Sequence, residues 1–225
     1  MRGITRKVIS LLFYKSMSKN IFLIGGGEIA KGETKEIDET IKKSATKGSS
    51  FVFFGTAAGD AEGYGDIIIK TFGDHFNVTV ATEAKGREFS EDAIKNASVI
   101  YLGGGTTKLL MDHFEKWNLV SLLIEAIDRG VIVAGMSAGA QALAAWYVHE
   151  DGESQEIRKG WDIVGKSLGV LVHATKDSFE RAQKLISASE YSISKLYGIT
   201  EGAALLLDKN SSDSEEIGKG EIWHK

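Results

Sequence analysis

The amino-acid sequence predicts an α/β domain built on a doubly wound, mostly parallel β-sheet with helices on both faces. Short, continuously apolar runs alternate along the chain with longer amphipathic stretches, which is the pattern of βαβ units whose strands are buried on both faces. Glycine-rich turns follow several of the apolar runs. With 225 residues, of which 43% are apolar, the chain is long enough for one domain with a sizeable core.

The first part of the chain is predicted to alternate strands and helices. The apolar runs that we interpret as strands are residues 20–27, 51–58, 77–84, 98–105 and 131–137. The helical patterns between them are residues 36–45, 65–76, 90–97, 106–117 and 120–130. Ser90 is the expected N-cap of the third helix. Right-handed crossovers then place helices on both faces of the sheet, and ligands of such sheets bind beyond the carboxyl ends of the strands.

The second part of the chain is predicted to add a further set of elements to the same domain. An alanine-rich helix follows the fifth strand. After it we expect a polar loop (149–167), a strand (168–175), a helix (178–191), an apolar segment (196–208) and a tail whose turn joins two edge strands (209–223). No repeat or linker divides residues 20–225, which are predicted as a single domain after an N-terminal extension, residues 1–19.

The composition excludes several classes of function. The net charge of −4 argues against a general affinity for nucleic acid or anionic membranes, because both select basic surfaces. The chain has no cysteine, which excludes disulfides, zinc–thiolate sites and thiol nucleophiles. We expect no metal and no cofactor. The basic N-terminal extension has an apolar patch, VISLLFY, but no small-residue cleavage site follows it, so the expected location is cytoplasmic.

The sequence GMSAG, residues 135–139, lies where the fifth strand is predicted to turn into a helix. G-x-S-x-G at such a turn is the nucleophile-elbow pattern, in which the glycines let the backbone turn sharply and keep side chains away from the reacting oxygen. The N–H of Ala138 would point at the oxyanion of a tetrahedral intermediate. Ser137 is therefore a candidate nucleophile, and an anion-binding turn or a helix start made of small residues is the alternative.

A nucleophilic serine needs a base to accept its proton and a third group to orient that base. The chain has five histidines: His75 and His113 in helical patterns, His149 in the predicted polar loop, His173 at the end of an apolar run, and His224 next to the C-terminus. A strand end is also the predicted location of Ser137, so His173 is the best candidate base. Glu201 precedes another apolar run and is the candidate that orients the imidazole.

Four segments, in order, resemble the peptidase E (aspartyl dipeptidase) family, which is related to cyanophycinase. They are YLGGGTTKLL, similar to the family's strand–GGGN–helix element; GMSAGA, similar to its serine elbow; LGVLVHAT, similar to its Leu-Gly-Leu…Pro-His segment; and LYGITEGAALLLD, similar to its late acidic turn. The resemblance covers residues 20–208. It implies a glutamine amidotransferase-like three-layer sandwich and a serine-type peptidase.

The resemblance implies a role for each matching residue. Ser137 would be the nucleophile, His173 the general base and Glu201 the acid that orients it. Asp151 is the competing acid, because the family also has an acid after the nucleophile helix. The reaction would be acyl transfer to Ser137 followed by hydrolysis of the acyl-enzyme. Small peptides, Asp-X dipeptides among them, would be the substrates. The sequence leaves the oligomeric state open, with a homodimer as one candidate.

The resemblance also implies two oxyanion donors. They would be the N–H of Ala138 and the N–H of a glycine in the GGG turn, with Gly104 and Gly105 as the candidates. Thr106 stands where the family commonly has asparagine. We therefore expect the glycine turn to be held differently here, with Thr106 among the residues that line the substrate site.

Arg181 is the candidate reader of an acidic substrate side chain, since a guanidinium binds a carboxylate through two hydrogen bonds. A surface arginine paired with Glu180 or Asp177 is the alternative. Val172 and Ala174 flank His173 where the family commonly has proline and an aromatic residue. This departure leaves the base in place and predicts a different substrate pocket.

Three other functions are alternatives to the peptidase. An α/β-hydrolase esterase orders its triad Ser…Asp/Glu…His, so Asp208 and His224 would have to serve. A catalytically inactive, small-ligand-binding relative of glutamine amidotransferases would use the glycine turns to hold an anion. A nucleotide-binding role for IGGGEIAKG is disfavoured, because the segment has neither the G-x-G-x-x-G spacing nor the lysine–serine end of a P-loop.

Overall fold

The computed structural model describes residues 19–165, 167–209 and 214–225. Of the predicted N-terminal extension, only Lys19 belongs to these described residues. The described chain forms two β-sheets, of seven and five strands, with α-helices packed against both.

The larger sheet carries the βαβ units that the sequence predicts. Its strands are β1 (Ile21–Ile24), β2 (Ser50–Phe54), β3 (Asn77–Ala81), β4 (Val99–Leu102), β5 (Ile132–Met136), β10 (Ala203–Leu207) and β11 (Ser214–Gly218). The spatial order is β11-β10-β1-β5-β4-β2-β3. Strands β1 to β5 are parallel, whereas β10 and β11 are antiparallel additions at one edge. The predicted α/β class with a mostly parallel sheet is confirmed.

Helices cover both faces of the larger sheet. They are α1 (Lys35–Ser44) and α2 (Glu62–Phe72) on one face, and α3 (Arg87–Asn96), α4 (Thr107–Lys116), α5 (Leu119–Asp128) and α6 (Ala138–Leu143) on the other. Alternate residues of a strand point to opposite faces, so Phe22 and Ile24 pack with α1 and α2 while Ile21 and Leu23 pack with α3 to α6. None of the helices in the described part of the chain has the length and apolar character that a membrane span requires.

The smaller sheet forms a further layer. Its strands are β6 (Trp146–Asp151), β7 (Ser154–Lys159), β8 (Leu168–Val172), β9 (Lys195–Ile199) and β12 (Ile222–His224), in the order β12-β9-β8-β6-β7. Val170 and Ile199 on its inner face belong to the same apolar core as α3 to α6. Its outer face packs through Leu171 against Phe179 of α7 (Lys176–Ser187). The smaller sheet therefore docks against the larger one.

The predicted polar loop at residues 149–167 is wrong in its first half. Strands β6 and β7 form an antiparallel hairpin there, in which His149 pairs with Glu156. The alanine-rich helix α6 ends at Leu143, earlier than its composition suggests. Strand β7 is half-buried on one side and exposed on the other. Its sequence, SQEIRK, therefore lacks the apolar run that identifies the fully buried strands. A partly exposed strand of this kind gives little periodic signal.

Ser90 is not the N-cap of α3, so this prediction is also wrong. The helix begins at Arg87 after Gly86, and Ser90 is a buried residue of its first turn. The Ser90 hydroxyl donates to the carbonyl of Gly86, at 3.3 Å. A serine that bonds back to a carbonyl four residues earlier fits inside a helix, and the sequence does not distinguish this use from capping.

The tail supplies an edge strand to each sheet. Strand β11 is the outer strand of the larger sheet and β12 the outer strand of the smaller one, with residues 219–221 as the turn between them. Residues 210–213 of the tail lie outside the described residues. The connection from β9 to β10 crosses between the sheets in the same way, which brings residues 200–202 to the boundary between them.

Candidate active site

Glycine-rich turns meet at one edge of the larger sheet. Strands β1, β5 and β4 are parallel neighbours, so their carboxyl ends lie side by side. They lead into residues 25–27, 137–139 and 103–105. Strand β8 of the smaller sheet ends at the same place, where the N–H of His173 donates to the carbonyl of Gly25, at 3.0 Å. This edge is the location that the fold predicts for a ligand site.

Ser137 lies at a sharp turn between β5 and α6. Its backbone has φ 50° and ψ −106°, and its N–H donates to the carbonyl of Ile24, at 2.9 Å. A Cβ atom at Gly135 would lie 2.5 Å from the carbonyl carbon of Gly139, and one at Gly139 would lie 2.4 Å from the carbonyl oxygen of Leu102. Only glycine fits at either position, so both glycines are required for the turn that exposes the serine.

Ser137, His173 and Glu201 form a hydrogen-bonded chain of side chains. The Oγ of Ser137 lies 2.6 Å from Nε2 of His173, and Nδ1 of His173 lies 2.5 Å from Oε1 of Glu201. A carboxylate only accepts hydrogen bonds, so the proton of the neutral ring belongs on Nδ1 and Nε2 is left to accept from the serine hydroxyl. The arrangement is that of a nucleophile, a base and an orienting acid.

The three side chains come from different parts of the fold. Ser137 follows β5 of the larger sheet, His173 follows β8 of the smaller sheet, and Glu201 lies in the crossing between β9 and β10. His173, like Ser137, has a positive φ, of 51°. Non-glycine residues adopt this conformation only when their surroundings hold them in it, and such residues cluster at functional sites. The side chains of His173 and Glu201 are 47% and 55% exposed, so this pair is accessible from solvent.

Gly26 packs directly against the histidine–glutamate pair. A Cβ atom there would lie 2.4 Å from Cε1 of His173 and 2.6 Å from Oε2 of Glu201. The carbonyl of Gly26 also accepts from the N–H of Gly202, at 3.1 Å, and so anchors the turn that carries the acid. Sequence reasoning places the glycine turn at residues 25–27 at this edge of the sheet. It misses the contact of Gly26 with His173 and Glu201, because these residues are more than a hundred positions away in the chain.

The predicted oxyanion donors border Ser137. Ala138 is the first residue of α6, and the N–H groups of a first helical turn have no partner within the helix. A Cβ atom at Gly104 would lie 3.4 Å from Cβ of Ser137, so the turn at residues 103–105 lies beside Ser137. The N–H of Gly104 donates to the hydroxyl of Tyr64, at 3.0 Å. Of the two glycine candidates, Gly105 is therefore the one whose N–H is not engaged by Tyr64.

The other predicted residues lie around this centre. Asp151, the competing acid, ends β6 and pairs with Ser154 at the hairpin tip, whereas the carboxylate on His173 is that of Glu201. Thr106 is exposed at the start of α4, and its N–H donates to the carbonyl of Ala57, at 2.7 Å.

Arg181 lies on α7 with both terminal nitrogens engaged. Its Nη1 bonds Asp177, and its Nη2 lies 3.3 Å from Oε1 of Glu150. The pairing with Asp177 is the one that the alternative interpretation of Arg181 expects. An acidic substrate side chain would have to take the place of one of these carboxylates to reach the guanidinium.

Comparison with known sequences identifies the family. The sequence profile of Peptidase family S51 matches residues 21–214. The chain belongs to this family. The expectation of a serine-type peptidase related to peptidase E is confirmed at the level of the family.

A curated relative and two solved structures resemble the chain. "Uncharacterized peptidase YgaJ" of Bacillus subtilis (strain 168) is 32% identical over 131 residues, which are 55% of each protein. The chain thus matches about half the length of this relative. A peptidase from an acI-B1 Actinobacterium has a TM-score of 0.66 at 22% identity, over 90% of this chain and 88% of that one. A putative peptidase E from Listeria monocytogenes EGD-e has a TM-score of 0.64 at 18% identity, over 88% and 97%. At these identities the structural matches show a shared fold.

The residues required by the esterase alternative lie elsewhere. His224 is on the edge strand β12, with its ring 6.0 Å from that of Tyr197, while the imidazole on Ser137 belongs to His173. The S51 match and this placement both disfavour an α/β-hydrolase. In the part of the chain that the structure describes, no group of three or more His, Asp or Glu side chains is placed to hold a metal ion.

Proposed function

We propose that this chain hydrolyses small peptides as a serine peptidase, through an acyl-enzyme on Ser137. The observation that supports the proposal is the continuous hydrogen-bonded chain from Ser137 through His173 to Glu201. A serine hydroxyl is a weak nucleophile until a base accepts its proton as the new bond forms. The family match supports the same reaction class.

In the first half of the reaction, Oγ of Ser137 attacks the peptide carbonyl carbon while its proton passes to Nε2 of His173. The carbon–nitrogen bond then breaks, and the same proton passes to the departing amine. The acyl group remains as an ester on Ser137. Glu201 holds the neutral ring in the tautomer with an accepting Nε2 and stabilises the imidazolium that forms when Nε2 takes the proton.

In the second half, water replaces the amine. A water molecule gives a proton to Nε2 of His173 as its oxygen attacks the ester, and the proton returns to Ser137 when the acid product leaves. The N–H groups of Ala138 and of a glycine in the GGG turn hold the oxyanion in both halves. In other serine hydrolases, one such donor contributes about 10²–10³-fold to kcat.

Labelling with a fluorophosphonate tests the proposal without knowledge of the substrate. We expect the wild-type protein to form an adduct at Ser137, located by mass spectrometry, and the Ser137→Ala variant to form none. Ser121→Ala, which changes an exposed serine on α5, is the matched control and should label normally. A wild-type protein that fails to label would instead support a ligand-binding relative without catalysis.

The finer proposal is that the substrates include Asp-X dipeptides. Its support is the resemblance to the aspartyl dipeptidase family and the presence of Arg181, which is 36% exposed at its side chain. A substrate carboxylate would exchange with Asp177 or Glu150 at the guanidinium. Hydrolysis of Asp-X, Ala-X and Lys-X dipeptides by wild type and Arg181→Met decides it. Loss of a preference for Asp-X in the variant supports the finer proposal, and an absence of that preference in wild type refutes it.

A further inference from the structure

Tyr64, in the first turn of α2, contacts the GGG turn beside the nucleophile. Its hydroxyl accepts the hydrogen bond from the N–H of Gly104, at 3.0 Å. The two residues are 40 positions apart in the chain, so this contact ties the N-terminal end of α2 to the loop after β4. It is a side-chain contact to a backbone group of the proposed oxyanion loop, and the mechanism above gives it no role.

The ring of Tyr64 is held in place by its neighbours. It packs edge-on against Phe53, with ring centroids 4.8 Å apart. A Cβ atom at Gly103 would lie 2.9 Å from Cε1 of Tyr64 and 3.0 Å from Cε2 of Phe53, so the ring lies flush against the loop only because residue 103 is glycine. Burial raises the pKa of the Tyr64 hydroxyl, and the hydroxyl therefore stays protonated through the neutral range.

The loop is fixed at three successive points. The N–H of Gly103 donates to the carbonyl of Phe54, at 2.9 Å, and the N–H of Thr106 donates to the carbonyl of Ala57, at 2.7 Å. The Tyr64 hydroxyl supplies the point between them, at Gly104. Without the Tyr64 hydroxyl, the loop would be held only at its two ends, by the backbone bonds of Gly103 and Thr106.

The position of this loop matters because Gly104 lies against Ser137, with the two Cβ positions 3.4 Å apart. An oxyanion donor is effective only when it lies about 2.7–3.1 Å from the oxygen that develops charge. A shift of a few tenths of an ångström in the loop would therefore reduce the stabilisation of the transition state more than the binding of the substrate.

We propose that Tyr64 is a positioning residue that locks the Gly103–Gly105 loop, so that Gly104 serves as the anchor and Gly105 presents the oxyanion donor. The inference rests on the proposed serine peptidase function. It assigns the N–H of Gly104 to the tyrosine and that of Gly105, with Ala138, to the reaction. The sequence left these two glycines as equal alternatives.

The test compares two variants that each remove one hydroxyl from a tyrosine on the same side of the sheet. Tyr64→Phe deletes the contact to Gly104. Tyr101→Phe is the matched control, because the buried Tyr101 hydroxyl contacts the sulfur of Met136, at 3.4 Å, and not the loop. The fluorophosphonate reaction gives a maximal labelling rate and an apparent affinity for each protein, and thermal melts report folding.

We expect Tyr64→Phe to lower the maximal labelling rate about 10-fold, with apparent affinity and melting temperature close to those of the control. Tyr101→Phe should label within about twofold of wild type. A merely structural role for Tyr64 would instead lower the melting temperature and leave the rate per folded molecule unchanged, and this result would overturn the proposal. An equal loss of labelling rate in both variants would also overturn it.

Amide hydrogen exchange provides a readout that does not depend on catalysis. Exchange in a peptide that covers residues 103–105 should be faster in Tyr64→Phe than in wild type and unchanged in Tyr101→Phe. Unchanged exchange in Tyr64→Phe would refute the anchoring contact itself. If exchange in residues 103–105 is faster in Tyr64→Phe than in wild type but wild type does not label, the proposed peptidase function is refuted while the contact between Tyr64 and Gly104 is supported.

Discussion

Oε1 of Glu201 lies 2.5 Å from Nδ1 of His173, across the boundary between the two sheets. The acid stands in the crossing from β9 to β10 and the base follows β8, so their contact depends on how the sheets dock. This relationship places Glu201, and not Asp151, on the imidazole of His173 and supports Glu201 as the proposed orienting acid. An acid in the hairpin β6–β7 would approach the ring from a different strand.

Replacing the acid separates these two candidates. Glu201→Gln keeps the size of the side chain but lets the amide donate toward Nδ1, which favours the wrong ring tautomer. We expect the rate of fluorophosphonate labelling to fall by about 100-fold or more. Asp151→Asn should label within about twofold of wild type. A larger loss in Asp151→Asn than in Glu201→Gln would exchange the two assignments.

Gly26→Ala should disable the site although it replaces none of the proposed catalytic residues. The new methyl group would lie 2.4 Å from the His173 ring and 2.6 Å from the Glu201 carboxylate, so the pair has to separate. We expect labelling to fall at least about 10-fold while the fold persists by circular dichroism. Gly32→Ala is the matched control: Gly32 also has a positive φ, of 76°, but open space surrounds its Cβ position. Equal losses in both variants would attribute the effect to backbone strain.

The two candidate bases can be tested in parallel. His173→Ala removes the imidazole that contacts Ser137, so labelling should be lost. His224→Ala changes an edge strand of the smaller sheet and should retain the labelling rate within about twofold. Loss of labelling in His224→Ala alone would revive the esterase assignment.

Asp38 introduces a pH dependence of stability on the opposite face of the larger sheet. Its carboxyl group on α1 is 5% exposed, and burial raises its pKa to about 6, opposed by the hydrogen bond from Thr34 and the charge of Lys42. The folded state therefore holds this proton more tightly than the unfolded chain does. The free energy of unfolding should fall as pH rises from about 4 to about 6 and stay low above it.

Asp38→Asn should relieve this penalty, because the amide oxygen can still accept from Thr34. We expect the free energy of unfolding in urea to rise by up to about 3 kcal/mol at pH 8 and to change little near pH 4. Asp74→Asn is an informative contrast. Lys42 lowers the pKa of the exposed Asp74, so that variant should lose rather than gain stability at pH 8. An Asp38→Asn variant no more stable than wild type at pH 8 would contradict the prediction.

The parallel part of the fold could be predicted because its physics is local. Strands such as β1 and β4 are buried on both faces, so each appears as an unbroken apolar run that ends in glycines. The location of the candidate site follows from the same rule, since parallel strands bring their carboxyl ends together. The sharp turn at Ser137 could be predicted because Gly135 and Gly139, which allow it, are close to Ser137 in the chain.

The features that sequence reasoning missed depend on contacts between distant segments. Strand β7 is only partly buried, and its alternation is too weak to distinguish it from a loop. Tyr64 and Gly26 touch the site from elements far from Ser137 in the chain. Tyr64 lies in no motif that points to the site, and the glycine turn of Gly26 indicates the edge of the sheet but not the contact with His173 and Glu201. The choice between Gly104 and Gly105 likewise depends on Tyr64, whose position no spacing in the sequence predicts.

Because Ser137 and His173 follow strands of separate sheets and Glu201 lies in the crossing between those sheets, the proposed triad is completed late in the synthesis of the chain. A ribosome that has completed the elbow at Ser137 has made a nucleophile without a partner. The proposed base and acid can reach Ser137 only after β8, β9 and the crossing at Glu201 have emerged and β10 has paired with β1. A chain interrupted before His173 therefore carries Ser137 without its proposed partners, so the proposed activity depends on the second half of the fold.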